Sequence, residues 1–289
     1  MSFSNIPGSL LPTLDLLLPT VIIIAVGYSL ARWAQLSTAP LYTLLRFIFF
    51  PVFLFMTLEE RMSFEMFFFG ALIGAGVVVF GFLIHMIVHR VATTTIDISL
   101  AIPNVACFSI PLFALSWEGR GLGTACAFFA GASLAAFFLE KKEITKLFKE
   151  PWLYAVVAGL LLKGFRAPIM PLFDILALFK DGTYPLLLLF LGASLYPFEG
   201  LTEFSAWATA GLRVAGGFGV ALLGVTFLPV SPALAAGAVM VAMAPPATGS
   251  LSLAGSAEDT YASRGPANVG LFLSLIVFIF FLASGWRPW

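Results

Sequence analysis

The chain has 289 residues, of which 60% are hydrophobic and only 10% charged, and its formal net charge is zero. Soluble domains carry about 25% charged residues, and the mean hydropathy here is +1.02, which excludes a water-soluble globule and predicts an integral membrane protein. The lack of a basic excess argues against nucleic acid as a partner.

A helix needs about 20 mostly apolar residues to cross a bilayer. The sequence predicts ten such spans, at 13–32, 41–58, 66–88, 96–116, 121–139, 152–166, 183–197, 205–228, 232–254 and 266–285. The first lacks the basic n-region and cleavage pattern of a signal peptide and reads as a retained span. The second carries FFPVFLFMTL around Pro51, and the seventh TYPLLLLFLGASL around Pro185. Residues 168–182 read as a short interfacial helix ahead of the seventh span.

The fourth and ninth spans are interrupted. In the fourth, LAIPNVACFSIPLFAL runs from Leu100 to Leu115, with Pro103 and Pro111 around Asn104 and Ser109. In the ninth, VMVAMAPPATGSLSLA runs from Val239 to Ala254, with Pro245 and Pro246 followed by Thr248, Gly249 and Ser250. Proline removes a backbone donor and clashes with the preceding turn. In hydrocarbon the freed carbonyls need partners, so such breaks persist only where they line a protein cavity. Matched breaks in two halves of a chain point to the substrate site of a secondary transporter.

Chemistry at such a site follows from the residue types. Half-helix N-termini offer unpaired N–H groups and positive potential, which suit a carboxylate. Asn104 adds donors and an acceptor, Ser109, Thr248 and Ser250 add hydroxyls, and Gly249 permits close approach of a ligand. The plainer reading is that the prolines kink their helices and nearby polar groups satisfy the kink.

The longest polar stretch, EKKEITKLFKE from Glu140 to Glu150, divides the chain into 1–139 and 152–289, with 140–151 as the connecting loop. Five spans in each half force the second half to insert inverted relative to the first. With the N-terminus outside, Arg32, Arg90, Lys141, Lys142, Lys146, Lys149 and Arg264 fall on the cytoplasmic side. Arg61, Arg120, Lys163, Arg166, Lys180 and Arg287 fall outside. The expected topology has both termini outside and the 140–151 loop in the cytoplasm, in a bacterial inner membrane.

A charge at a helix centre costs roughly 3 kcal/mol on insertion scales. Asp97, which leads into the broken fourth span, and Arg46 are the candidates for coupling to H+ or Na+; Asp97 reads equally as a helix cap. Snorkelling to an interface accounts for Arg46, His85, Asp15 and Arg213. Cys107 and Cys126 read as buried free thiols, and no metal motif or cofactor is implied. GASL occurs at Gly131–Leu134 and at Gly192–Leu195, a pattern of small residues that suits close helix packing. An intramembrane serine protease would instead need a base beside Ser133 or Ser194, from His85 or His89.

Four motifs in order resemble the auxin efflux carrier family of membrane transporters, which includes bacterial permeases of small carboxylates. They are VGYSLARWAQLS before the Pro51 span, Asn104 with Pro111 seven residues on, PLLLLFLGASL from Pro185, and AMAPPATGSLSLA from Ala242. Ala106 and Ser109 stand where the family's break has glycines, Thr248–Gly249 where an asparagine is frequent, and Gly255–Ser256 where a Glu-Lys pair is found. The likeness covers nearly the whole chain. It implies an all-α membrane protein of ten transmembrane helices in two inverted five-helix repeats, with broken helices four and nine crossed. It further implies a transporter of small organic anions (mono- or dicarboxylates, auxin-like acids) working by alternating access, as a transport part moves past a scaffold. Substrate contact falls by the same resemblance on Asn104, Ser109, Pro245, Pro246 and Thr248. The expected partners are the organic anion, membrane lipids and a second copy of the chain through the scaffold. A non-transporting sensor or lipid-binding module of the same fold is the alternative.

Overall fold

The structure, a computed structural model, describes residues 10–91, 101–115, 121–139, 144–163, 170–247 and 264–283. Each predicted apolar segment contains a helix, and the described residues of the fourth and ninth leave helical geometry at 101–104 and 243–247. The helices are α1 (Leu10–Trp33), α2 (Thr38–Arg61), α3 (Phe64–Val91), α4 (105–115) and α5 (Leu122–Leu139) in the first half. In the second half they are α6 (Pro151–Leu161), α7 (Met170–Ser194), α8 (Phe204–Phe227), α9 (Pro232–Ala242) and α10 (Arg264–Ala283). Among the described residues α2, α3, α5, α7 and α8 are long and apolar enough to cross a membrane, and the other five helices contribute shorter apolar stretches.

The exterior is apolar where a soluble protein would be polar. Leu18, Ile22, Phe68, Leu83, Leu223 and Phe280 are all exposed large side chains. Such continuous apolar surface is stable only against lipid or protein. The chain is therefore membrane-embedded.

One expected boundary is wrong. A short interfacial helix over 168–182 followed by a separate span was predicted, but α7 is one continuous helix of 25 residues. Its charged interruption survives because Lys180 donates to the Glu60 carboxylate at 2.5 Å, while Asp181 faces outward. The 140–151 loop also has structure: Ile144–Leu147 forms a helical turn whose Leu147 is buried.

Two helix groups make up the fold. In one, α1 lies along α7 and α2 packs on α6 and α7. In the other, α3 packs on α5 and α8, and α8 also packs on α9 and α10. Helix α5 is buried on nearly every side, from Leu122 to Phe137, because its Ala- and Gly-rich faces admit neighbours all round. Both GASL segments lie at such contacts. A Cβ on Gly131 would overlap the Ala71 carbonyl of α3, and one on Gly192 the Ile24 carbonyl of α1. Helix α4 sits between the groups, touching α1 and α7 on one side and α5 and α9 on the other.

Two prolines shape their helices in the same way. Residues 45–49 of α2 and 105–109 of α4 form widened π-turns, and each is followed by an X-Pro pair, Phe50–Pro51 and Ile110–Pro111. The last N–H before the proline reaches back five residues, from Phe50 to Leu45 and from Ile110 to Val105. A wider turn gives the pyrrolidine ring room that a regular α-turn lacks.

Candidate functional site: the crossing of the two proline breaks

Helix α9 starts on a firm cap: Ser231 Oγ accepts from the Leu234 N–H, and Pro232 occupies the first helical position. It ends at Ala242, three residues before the Pro245–Pro246 pair. Ahead of α4, residues 101–104 are likewise non-helical. The two breaks meet. Pro103 and Pro246 form an isolated antiparallel bridge, flanked by Asn104 N–H to the Pro245 carbonyl and Ala247 N–H to the Ile102 carbonyl, both at 2.8 Å. The prolines occupy the non-hydrogen-bonded pair of this ladder, the one position where a missing N–H costs nothing.

The first break satisfies most of its own main chain. Asn104 caps α4, its side-chain oxygen accepting from the Cys107 N–H at 3.2 Å, and the Val105 N–H bonds to the Pro103 carbonyl at 2.9 Å. Asn104 is 1% exposed and Ser109 3%. Open N–H donors were expected here. The described ones at Asn104, Val105 and Cys107 are instead consumed internally, as burial in an apolar medium demands.

The second break borrows from other helices. Arg213 of α8 donates to the Ala242 carbonyl at 3.0 Å, and Ser274 of α10 donates to the Met243 carbonyl at 2.9 Å. These carbonyls end a half-helix and carry its negative partial charge, so a guanidinium is the apt partner. Two glycines make room. A Cβ on Gly217 would overlap the Ala242 carbonyl and come within 2.9 Å of Arg213 Nη1, and one on Gly270 would overlap Pro246.

Snorkelling was expected for Arg213, which instead stays buried. Arg213 is 2% exposed, at the centre of its helix group. Arg46 pairs with Glu150 at 2.5 Å and donates to the Tyr42 hydroxyl at 3.2 Å. It thus ties the end of the connecting loop to α2.

Of the predicted site residues, Pro103, Asn104, Pro245 and Pro246 come together directly. Ser109 follows them in the π-turn, and Pro111 stands two residues further along α4. Asp97, Thr248, Gly249 and Ser250 lie outside the described residues. Sequence reasoning missed Ser274 and Gly270 altogether and gave Arg213 the wrong role. In this region Ser109 Oγ and Arg213 Nε are buried without a hydrogen-bond partner among the described residues. Cys107 and Cys126 are buried thiols that form no disulfide, as expected. Ser194 donates its hydroxyl to the Phe190 carbonyl of its own helix at 2.8 Å. Compared with family models and with curated proteins, the chain matches none.

Proposed function

We propose that this protein is a secondary transporter of a small organic anion, built as ten transmembrane helices in two inverted five-helix repeats like the auxin efflux carriers. The observation that carries this reading is the main-chain bridge joining the proline breaks of α4 and α9 inside an apolar helix bundle. Irregular backbone at that depth is tolerated in transporters because it forms the substrate site.

The helix packing supports the repeat. Shifting each helix by five converts the α3–α5 pair into α8–α10, and the α2–α6 pair into α7–α1, and all four pairs are in contact. The pairs α2–α7, α3–α8 and α4–α9 map onto themselves and are also in contact. Helices α1, α2, α6 and α7 form the scaffold, and the remaining helices form the transport part.

Asn104 and Ser109 bind the carboxylate of the substrate, and buried Arg213 supplies positive potential to the same crossing. Pro103, Asn104, Pro245, Pro246 and Ala247 are buried at the crossing, so loading requires the transport part to shift against the scaffold. A flux assay in liposomes tests this, using labelled mono- and dicarboxylates with and without a proton or sodium gradient. Wild type should translocate at least one anion, and Asn104→Ala should lose that uptake while inserting normally. Binding without translocation would identify a sensor instead, and neither binding nor flux across the panel rejects the proposal.

A further inference from the structure

A second polar site lies away from the crossing, where the C-terminal ends of α1 and α7 meet the start of α2. A cleft of about 450 Å³ there is lined by Arg32, Gln35, Ser37, Thr38, Ser194 and Tyr196, among others. Its only charged lining residue among the described ones is Arg32, and Arg32 forms no ion pair among them. The Ser37 hydroxyl makes no capping bond to α2 and is available to a ligand. One guanidinium with the hydroxyls of Ser37, Thr38 and Tyr196 and no carboxylate is a donor set for a phosphoryl or similar oxyanion.

The surroundings identify where that anion comes from. Leu18, Ile22, Val26 and Leu30 are exposed and recur every four residues along α1, so they form one slanting apolar ridge that ends at the cleft. Twelve residues of helix span about 18 Å, enough to carry most of an acyl chain. Trp33 is 76% exposed and stands beside Arg32, Tyr196 is an exposed lining residue of the cleft, and Phe198, two residues on, is exposed as well. Exposed aromatic residues at helix ends mark headgroup level in a bilayer.

We infer that this cleft is a binding site for an anionic phospholipid, with the headgroup phosphate on Arg32 and the hydroxyls and an acyl chain along the α1 ridge. On the expected topology the site faces the cytoplasmic leaflet, where anionic lipids attract basic side chains.

Native mass spectrometry of the delipidated full-length protein tests this by titration with dioleoylphosphatidylglycerol, dioleoylphosphatidylcholine and inorganic phosphate. A one-to-one phosphatidylglycerol adduct should form at concentrations that leave phosphatidylcholine unbound. Arg32→Gln should raise its apparent Kd by about tenfold or more, the loss of one charged hydrogen-bonding partner. Arg32→Lys should keep the preference for the anionic lipid. Arg32 is exposed, so the lipid-free melting temperature of Arg32→Gln should equal that of wild type. Equal binding of both lipids, or an unchanged Kd in Arg32→Gln, overturns the proposal. Inorganic phosphate binding as tightly as phosphatidylglycerol would show a site for a soluble phosphate, and the lipid assignment fails.

Discussion

At the first break, residues close together in sequence keep the main chain satisfied: Asn104 caps the turn that follows it, and Val105 bonds back to Pro103. At the second, help comes from 29 to 31 residues away, through Arg213 on α8 and Ser274 on α10. Both breaks are buried, and both share the Pro103–Pro246 bridge. A local solution survives changes in neighbouring helices, whereas a remote one makes the break depend on how those helices are seated. The second break is therefore the more sensitive of the two.

Substitutions can break that comparison. Arg213→Ala should have the largest effect, about 3 kcal/mol of stability, because it strips the Ala242 carbonyl of a charged donor and leaves a cavity. Arg213→Lys should recover part of the loss, since a lysine keeps a donor without the planar fork. Thermal melting in detergent, followed by circular dichroism, measures both. Asn104→Ala should cost about 1 kcal/mol, the usual worth of a helix cap. If Asn104→Ala proves the more damaging of the two, the distinction between local and remote support is lost.

Ser109→Ala should change stability by less than about 0.5 kcal/mol, because the hydroxyl bonds to nothing among the described residues. Its effect should appear in anion uptake instead. Equal uptake by Ser109→Ala and wild type removes Ser109 from the proposed carboxylate site.

How far the sequence could be read follows the same division. The breaks themselves were legible because proline acts on its own turn, wherever the rest of the chain lies. Asn104 was legible as a polar group beside such a turn. Arg213 was misread because a span taken by itself does not say which way a charge faces. A signal was present: Ala206, Ala210, Gly217 and Ala221 recur at helical spacing, and Arg213 falls on that same stripe of small, buried residues. Ser274 similarly lies on the stripe of Ala267, Leu271 and Phe278, all buried. Polar residues on a small-residue or apolar stripe face protein, not lipid. The continuity of α7 was hidden by Lys180 and Asp181, whose charges look like a boundary until Glu60 of α2 is known to stand opposite.

The Pro103–Pro246 clasp also bears on biogenesis. Without its counterpart, the amino-terminal half would carry the Asn104 amide and the Ile102 carbonyl into the bilayer bare, at a penalty of several kcal/mol for each. A fragment ending near residue 139 is then a poor membrane guest, prone to removal by quality-control proteases. Synthesised as two separate pieces, the halves should accumulate only when made together in one cell.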